Sequence, residues 1–207
     1  VNHSINTYFE LSRPLLGNTP LVVLPESAIP LYYDLADNLF TDLNALAFAH
    51  KSTIAIGIPR RDTSHKPYLA FNSLFILGAD ADISQAQYYD KHKLVPFGEY
   101  TPFRSLLTPL SELFAIPMSS FVVPQGPPQP LTADGITFIP AICYEAVFPE
   151  LLACGAEQGG NALLMVSNDA WFGLTRGPEQ LLAISRMRVM ELQKPALRAS
   201  NNIHTAL

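Results

Sequence analysis

Residues 136–152 read ITFIPAICYEAVFPELL, an apolar run that ends in Cys143-Tyr144-Glu145 and passes at once into a helix-like segment. Ile136 to Ile142 is predicted as a buried strand, because a short β-branched and aromatic run opening after the turn signal Ala133-Asp134-Gly135 fits a sheet core. Cys143 then closes that strand at its carboxyl end. In open α/β architectures ligands and chemistry collect there, since strand ends and the following helix N-termini leave backbone N–H groups free to face a substrate. A free thiol is also commonly a small buried hydrophobe, and on this stretch alone that plainer reading leads.

Working outward, the 207 residues suffice for one sizeable core, and no stretch resembles a linker, so one domain is expected. Charged residues make up 15% of the chain, against about 25% in typical soluble domains. That points to a large buried sheet, or to a surface partly facing something other than water. A net charge of −5 with scattered Lys and Arg argues against a nucleic-acid partner. No apolar run reaches bilayer-spanning length, and Val1 begins no signal-peptide pattern. Neither the two cysteines, Cys143 and Cys154, nor the five histidines fall at metal-ligand spacing, so no metal and no cofactor are expected.

Upstream, residues 4–16 are predicted as a helix loosened by Pro14 and stopped at Gly17-Asn18. Leu21 to Leu24 is a compact strand with Glu26 just past its end. Leu31 to His50 has the clearest helical period, with Tyr32, Leu35, Ala36, Leu39, Leu43 and Leu46 sharing one face. Ser52 to Ile58 is the next strand, and the strand, helix, strand order implies a parallel crossover. Arg60-Arg61-Asp62, after Pro59, reads as a solvated turn. Residues 68–78 and 86–90 form an antiparallel ribbon that delivers Lys91. Residues 94–103, LVPFGEYTPF, carry too much Pro and Gly for regular structure and are expected to be a shaped functional loop.

Residues 104–130 are read as a Pro- and Ser-rich surface excursion with a short amphipathic piece. Downstream of Cys143 a helix over about 148–156 carries a structural Cys154. A buried strand, Ala162 to Ser167, ends in Asn168-Asp169-Ala170-Trp171-Phe172-Gly173. A helix over about 177–193, with apolar residues on more than one face, and a last strand, Ala196 to Ser200, complete the chain.

Three reactive groups, Glu26, Lys91 and Cys143, thus each close a predicted strand, and strand ends on one sheet edge converge however far apart they lie in sequence. A thiol is a useful nucleophile only as thiolate, so it needs a base and a nearby positive charge. Glu26 supplies the first and Lys91 the second. The plainer alternatives are a capping carboxylate for Glu26 and a solvated lysine within Lys91-His92-Lys93.

LPES (24–27), YDKHKLVPFGEYTP (89–102), AICYE (141–145) and SNDAWFG (167–173) together resemble the motifs of the nitrilase, or carbon-nitrogen hydrolase, superfamily. The extended LVPFGE loop and a PMSSF segment (117–121) are more similar still to its membrane-bound branch, the apolipoprotein N-acyltransferases. The resemblance implies an αββα sandwich with mixed sheets. It implies Glu26 as general base, Lys91 as oxyanion-binding lysine and Cys143 as nucleophile, with Glu99, Tyr144 and Glu145 supporting them. Glu145 could equally serve only to orient Lys91.

The implied reaction moves a phospholipid acyl chain through a Cys143 thioester to the amine of a diacylglyceryl-cysteine apolipoprotein. The implied setting is the outer face of a bacterial inner membrane. The alternative within enzymes is a soluble amidase with water as second nucleophile. Transmembrane helices and a first core strand expected ahead of residues 4–16, and further strands after Ala206, are not in this sequence, so it reads as a fragment of a longer membrane protein. A lipid substrate also predicts an apolar mouth over Cys143. Val95, Pro96, Phe97, Tyr100, Phe103, Trp171 and Phe172 are its candidates, and the alternative is that they merely fill space between loop and sheet.

Overall fold

A computed structural model describes residues 2–100, 102, 121–173 and 175–201, with side chains from residue 5 onward. Phe103, the whole amphipathic piece at 104–114, residues 117–120 of the PMSSF segment and everything after Asn201 lie outside the described residues.

Two four-stranded mixed sheets form the centre. The first has the order β1 (Leu21–Val23), β2 (Thr53–Asp62), β3 (Leu69–Leu77), β4 (Gln87–Asp90). The second has β5 (Leu131–Ala133), β6 (Ile136–Ile142), β7 (Ala162–Ser167), β8 (Ala196–Ser200). Helices α1 (Asn2–Ser12) and α2 (Asp37–Ala49) cover the first sheet, and α3 (Pro149–Glu157) and α4 (Gly177–Leu192) cover the second.

The side-chain period of two along each strand builds three apolar layers from these elements. Ile54, Ile56 and Ile58 of β2 face Phe40, Leu43 and Ala47 of α2. Ala55, Leu74, Ile76 and Tyr89 face Phe138, Ile142, Leu164 and Val166 of the other sheet. Ile139 and Ala141 of β6 turn the opposite way, toward Leu152 of α3 and Val189 of α4. Helix, sheet, sheet, helix is therefore the layer order, and the expected αββα sandwich is the architecture found.

Strand direction then fixes where functional groups meet. β1 runs parallel to β2, and β4, two antiparallel steps away, runs the same way as both. β6, β7 and β8 are mutually parallel. Glu26, Lys91, Cys143 and Asn168 all follow carboxyl ends of these strands, and hydrogen bonds from Asn168 N–H to Glu26 and from His92 N–H to Glu145 join those ends across the two sheets.

Four expectations need correction. β2 does not stop at Ile58 but pairs with β3 through Asp62, so Arg60-Arg61-Asp62 is strand. Arg60 is held by Asp90 and lies over the rings of Phe71 and Tyr88, while Arg61 is held by Asp34 between Tyr32 and Tyr68. Pro59 is tolerated because β1 pairs only as far as Ala55, leaving that edge of β2 without a ladder to break.

The second helix starts at Asp37 after a 3-10 turn, so its buried stripe is Phe40, Leu43, Asn44 and Ala47, and Leu35 is exposed. β5 was not expected; it makes a hairpin with β6 across Asp134-Gly135, both with positive φ. α4 buries one stripe, Pro178, Leu181, Ser185 and Arg188, rather than two faces.

Candidate active site

Glu26 reaches the site because the chain turns sharply after β1, with Ser27 at φ 51°. The turn lies on Gly57 of β2, where Ala28 N–H donates to the Gly57 carbonyl at 3.0 Å. Lys91 follows β4, and its own N–H donates to the carbonyl of Asn72 on β3 at 2.8 Å. Cys143 sits at φ 52° between β6 and a 3-10 turn over Cys143–Val147. A left-handed non-glycine residue at a strand end is a strained geometry of the kind that clusters at functional sites.

Lys91 is 1% exposed, and its Nζ donates to Glu26 Oε1 at 3.2 Å and to Glu99 Oε1 at 2.9 Å. Asn72 Nδ2 bridges the same two oxygens at 2.7 Å each. The outer oxygens are held by backbone: Glu26 Oε2 accepts from Asn168 N–H at 2.9 Å and Glu99 Oε2 from Val95 N–H at 2.8 Å. Burial pulls the Lys91 ammonium down, but the two carboxylates outweigh it and keep its pKa above the ordinary lysine value. Burial pushes the Cys143 thiol well up, Glu26 pushes the same way and Lys91 opposes them. Burial thus favours the neutral thiol, so any nucleophilic role for it calls for a base to make the thiolate.

Glu145 is wholly buried and touches neither the thiol nor Nζ by hydrogen bond. Its Oε1 accepts from His92 N–H at 2.7 Å, Lys93 N–H at 3.1 Å and Tyr89 Oη–H at 2.8 Å, and its Oε2 from Ile142 N–H at 2.8 Å. It ties the backbone after Lys91 to the backbone before Cys143. Burial pushes its pKa to about 7, against the pull of these donors and of Lys91. Tyr144 is half-buried and packs edge-on against Phe148.

A cavity of about 300 Å³ joins Glu26, Lys91, Glu99 and Cys143 beneath Val95, Phe121, Trp171 and Phe172. That volume suits the reacting end of a ligand. Of the aromatic candidates, Trp171 is 79% exposed, Phe97 55% and Tyr100 36%, while Phe172 is half-buried. Cys154 lies apart on α3, where Gln158 Nε2 donates to its sulfur at 3.2 Å. Among the described residues no group of three metal-ligating side chains gathers.

Two partners escaped the sequence reading. Asn72 is one, and its signal is an amide in the middle of the apolar strand LAFNSLFIL. Asp169 is the other: it lies inside the quoted SNDAWFG motif, is wholly buried, and accepts from Arg198 Nη2 at 3.2 Å.

A sandwich of two mixed sheets with a carboxylate, an ammonium and a thiol sharing one pocket at the strand ends defines a class of α/β proteins that carry a thiol site at the sheet edge. Within it, the chain belongs to the carbon-nitrogen hydrolase family, which it matches over residues 11–206. Similar curated proteins are the apolipoprotein N-acyltransferases of Haemophilus influenzae, 40% identical over 94% of this chain and 37% of the relative, and of Shewanella oneidensis, 37% identical over 97% and 39%. The chain thus spans about two fifths of the length of these relatives.

Solved structures share the fold. A carbon-nitrogen hydrolase from Helicobacter pylori superposes with TM-score 0.66 at 19% identity, over 96% of this chain and 66% of that one. An amidase from Nesterenkonia does so with TM-score 0.65 at 18% identity, over 96% and 70%. No described helix is long and apolar enough to cross a membrane.

Proposed function

We propose that this chain carries the catalytic site of an N-acyltransferase that moves an acyl chain from a phospholipid to the α-amine of a diacylglyceryl-cysteine apolipoprotein. The observation that carries the reading is the pocket itself: a thiol shared with a carboxylate and a buried ammonium, lined on its apolar side by Phe121, Phe172 and the exposed Trp171. The similarity to apolipoprotein N-acyltransferases supports it.

In the first half-reaction Glu26 takes the Cys143 proton, and sulfur attacks the ester carbonyl. The oxyanion is held by Lys91 Nζ and the Tyr144 N–H. Collapse breaks the C–O bond, and the leaving lysophospholipid takes the proton back from Glu26. In the second half the acceptor amine attacks the thioester, Glu26 takes its proton, and as the C–S bond breaks Glu26 returns that proton to the Cys143 sulfur. The amide is more stable than the thioester, so transfer runs downhill.

The cavity accommodates the reacting ester, and of the exposed loop aromatics Trp171 lines it, while Phe97 and Tyr100 are exposed without lining it; on this reading Trp171 meets the lipid at headgroup level. This reading locates the site at the outer face of the inner membrane, within a longer polypeptide.

Mass spectrometry of the intact protein purified from membrane tests the proposal. An acyl-sized adduct on wild type that is missing from Cys143→Ala is the expected result. Absence of any adduct, with hydrolysis of a small amide instead, would move the reading to an amidase.

A further inference from the structure

We infer that Ser200 and Asn201, at the end of β8, are positioning residues that set the general base and the cavity roof through the Asn168-Asp169 loop. The inference rests on Glu26 being the base, as proposed above.

Asn168 and Asp169 hold the site from one side and are held by β8 on the other. The Asn168 N–H is the donor on Glu26 Oε2, at 2.9 Å. Three and four residues further on, Trp171 and Phe172 line the cavity. Behind them, the Asp169 N–H donates to Asn201 Oδ1 at 2.9 Å, and Asn201 Nδ2 donates to Asn168 Oδ1. Ser200 Oγ donates to Asp169 Oδ2 at 2.6 Å, beside Arg198 Nη2, which also donates to Ser167 Oγ at 3.0 Å.

Neither Ser200 nor Asn201 lines the cavity. Their effect has to travel through two backbone positions. Asp169 is wholly buried with Oδ1 unpartnered among the described residues, so its one bonded oxygen fixes where the carboxylate sits. If it shifts, the Asn168 N–H shifts with it, and Glu26 loses the only backbone donor on its outer oxygen among the described residues. Groups that keep a donor or a base in register from behind typically change rate far more than they change binding.

The charge balance points the same way. Asp169 is close enough to Cys143 to disfavour the thiolate, and Arg198 faces it. A latch that keeps Asp169 on Arg198 leaves Glu26 to govern the thiol.

The test is the pH dependence of Cys143 alkylation by iodoacetamide, in the protein as the cell makes it and in a Cys154→Ala background. Ser200→Ala, Ser200→Thr, Asn201→Ala and Glu26→Gln are compared, with melting temperature measured on each. Ser200→Ala and Asn201→Ala are expected to react about tenfold more slowly at each pH from 7 to 9, so that the rising limb of the profile is displaced about one unit upward. Ser200→Thr, which keeps the hydroxyl, restores the wild-type profile.

A lower melting temperature with an unmoved profile in both alanine variants, while Glu26→Gln does move it, overturns the latch and leaves the base intact. An unmoved profile in Glu26→Gln overturns the base, and the latch with it.

Discussion

Gly57→Ala is the sharpest test of how the fold places the base. Gly57 lies in the middle of β2, paired with Leu74, and its φ is outside the left-handed region, so alanine meets no backbone objection there. The obstacle is space. An added Cβ would lie 2.6 Å from the Glu26 Cα and from the Pro25 carbonyl oxygen, and 2.9 Å from the Ser27 nitrogen. Ordinary contact begins at 3.4 Å, so either strand or turn must give by about 0.8 Å, and every atom in the way is backbone.

β2 is fixed by nine pairs to β3, so the turn bearing Glu26 is what moves. Overpacking of this kind costs about 1–3 kcal/mol of stability, and displacing a base by about 1 Å costs about a hundredfold in rate. The expected result is a turnover defect of that order with the melting temperature lowered by about 2–12 °C. It is measured by transfer of a labelled acyl chain to a lipopeptide amine and by thermal unfolding. Turnover within twofold of wild type would refute the claim that the bare backbone of residue 57 seats Glu26.

Other outcomes follow from the same geometry. Cys143→Ala should abolish both the acyl adduct and turnover, whereas Cys154→Ala should stay within about twofold, read in the same transfer assay. Lys91→Ala should lower turnover about a hundredfold or more through the lost oxyanion donor. It should also destabilise by about 3–5 kcal/mol, because Glu26 and Glu99 remain buried without their cation; chemical denaturation measures the second effect.

Glu145 has its folded pKa raised from 4.5 to about 7, so its contribution to stability is complete below pH 4.5 and lost as pH rises through 7. The wild-type melting temperature should therefore gain on that of Glu145→Gln as pH falls from 8 to 5. A difference constant over that range would contradict it.

Local chemistry made much of this molecule readable in one dimension. The short apolar runs ITFIPAI and ALLMVS, bounded by turn residues, mark buried strands because run length and turn chemistry are local properties of the chain. The thiol, the lysine and Glu26 are visible for the same reason: each is a reactive group at the end of an apolar run. β2 beyond Pro59 was misread because its arginines look solvated until the partners Asp90 and Asp34, with their flanking rings, are known. Those partners come from other segments, and no local pattern encodes them.

The amphipathic period of the second helix was seen, but its stripe was misplaced by the 3-10 turn at Tyr33–Leu35. Tertiary structure alone decided that Asn72 bridges two carboxylates 46 and 27 positions away. It alone set Glu145 on the backbone on both sides of the site, and Asp169 against Arg198 and Ser200 of β8. Residue types and strand ends follow from short-range sterics and burial, which a sequence displays. Which donor meets which carboxylate depends on how two sheets stack, and only the folded chain carries that information.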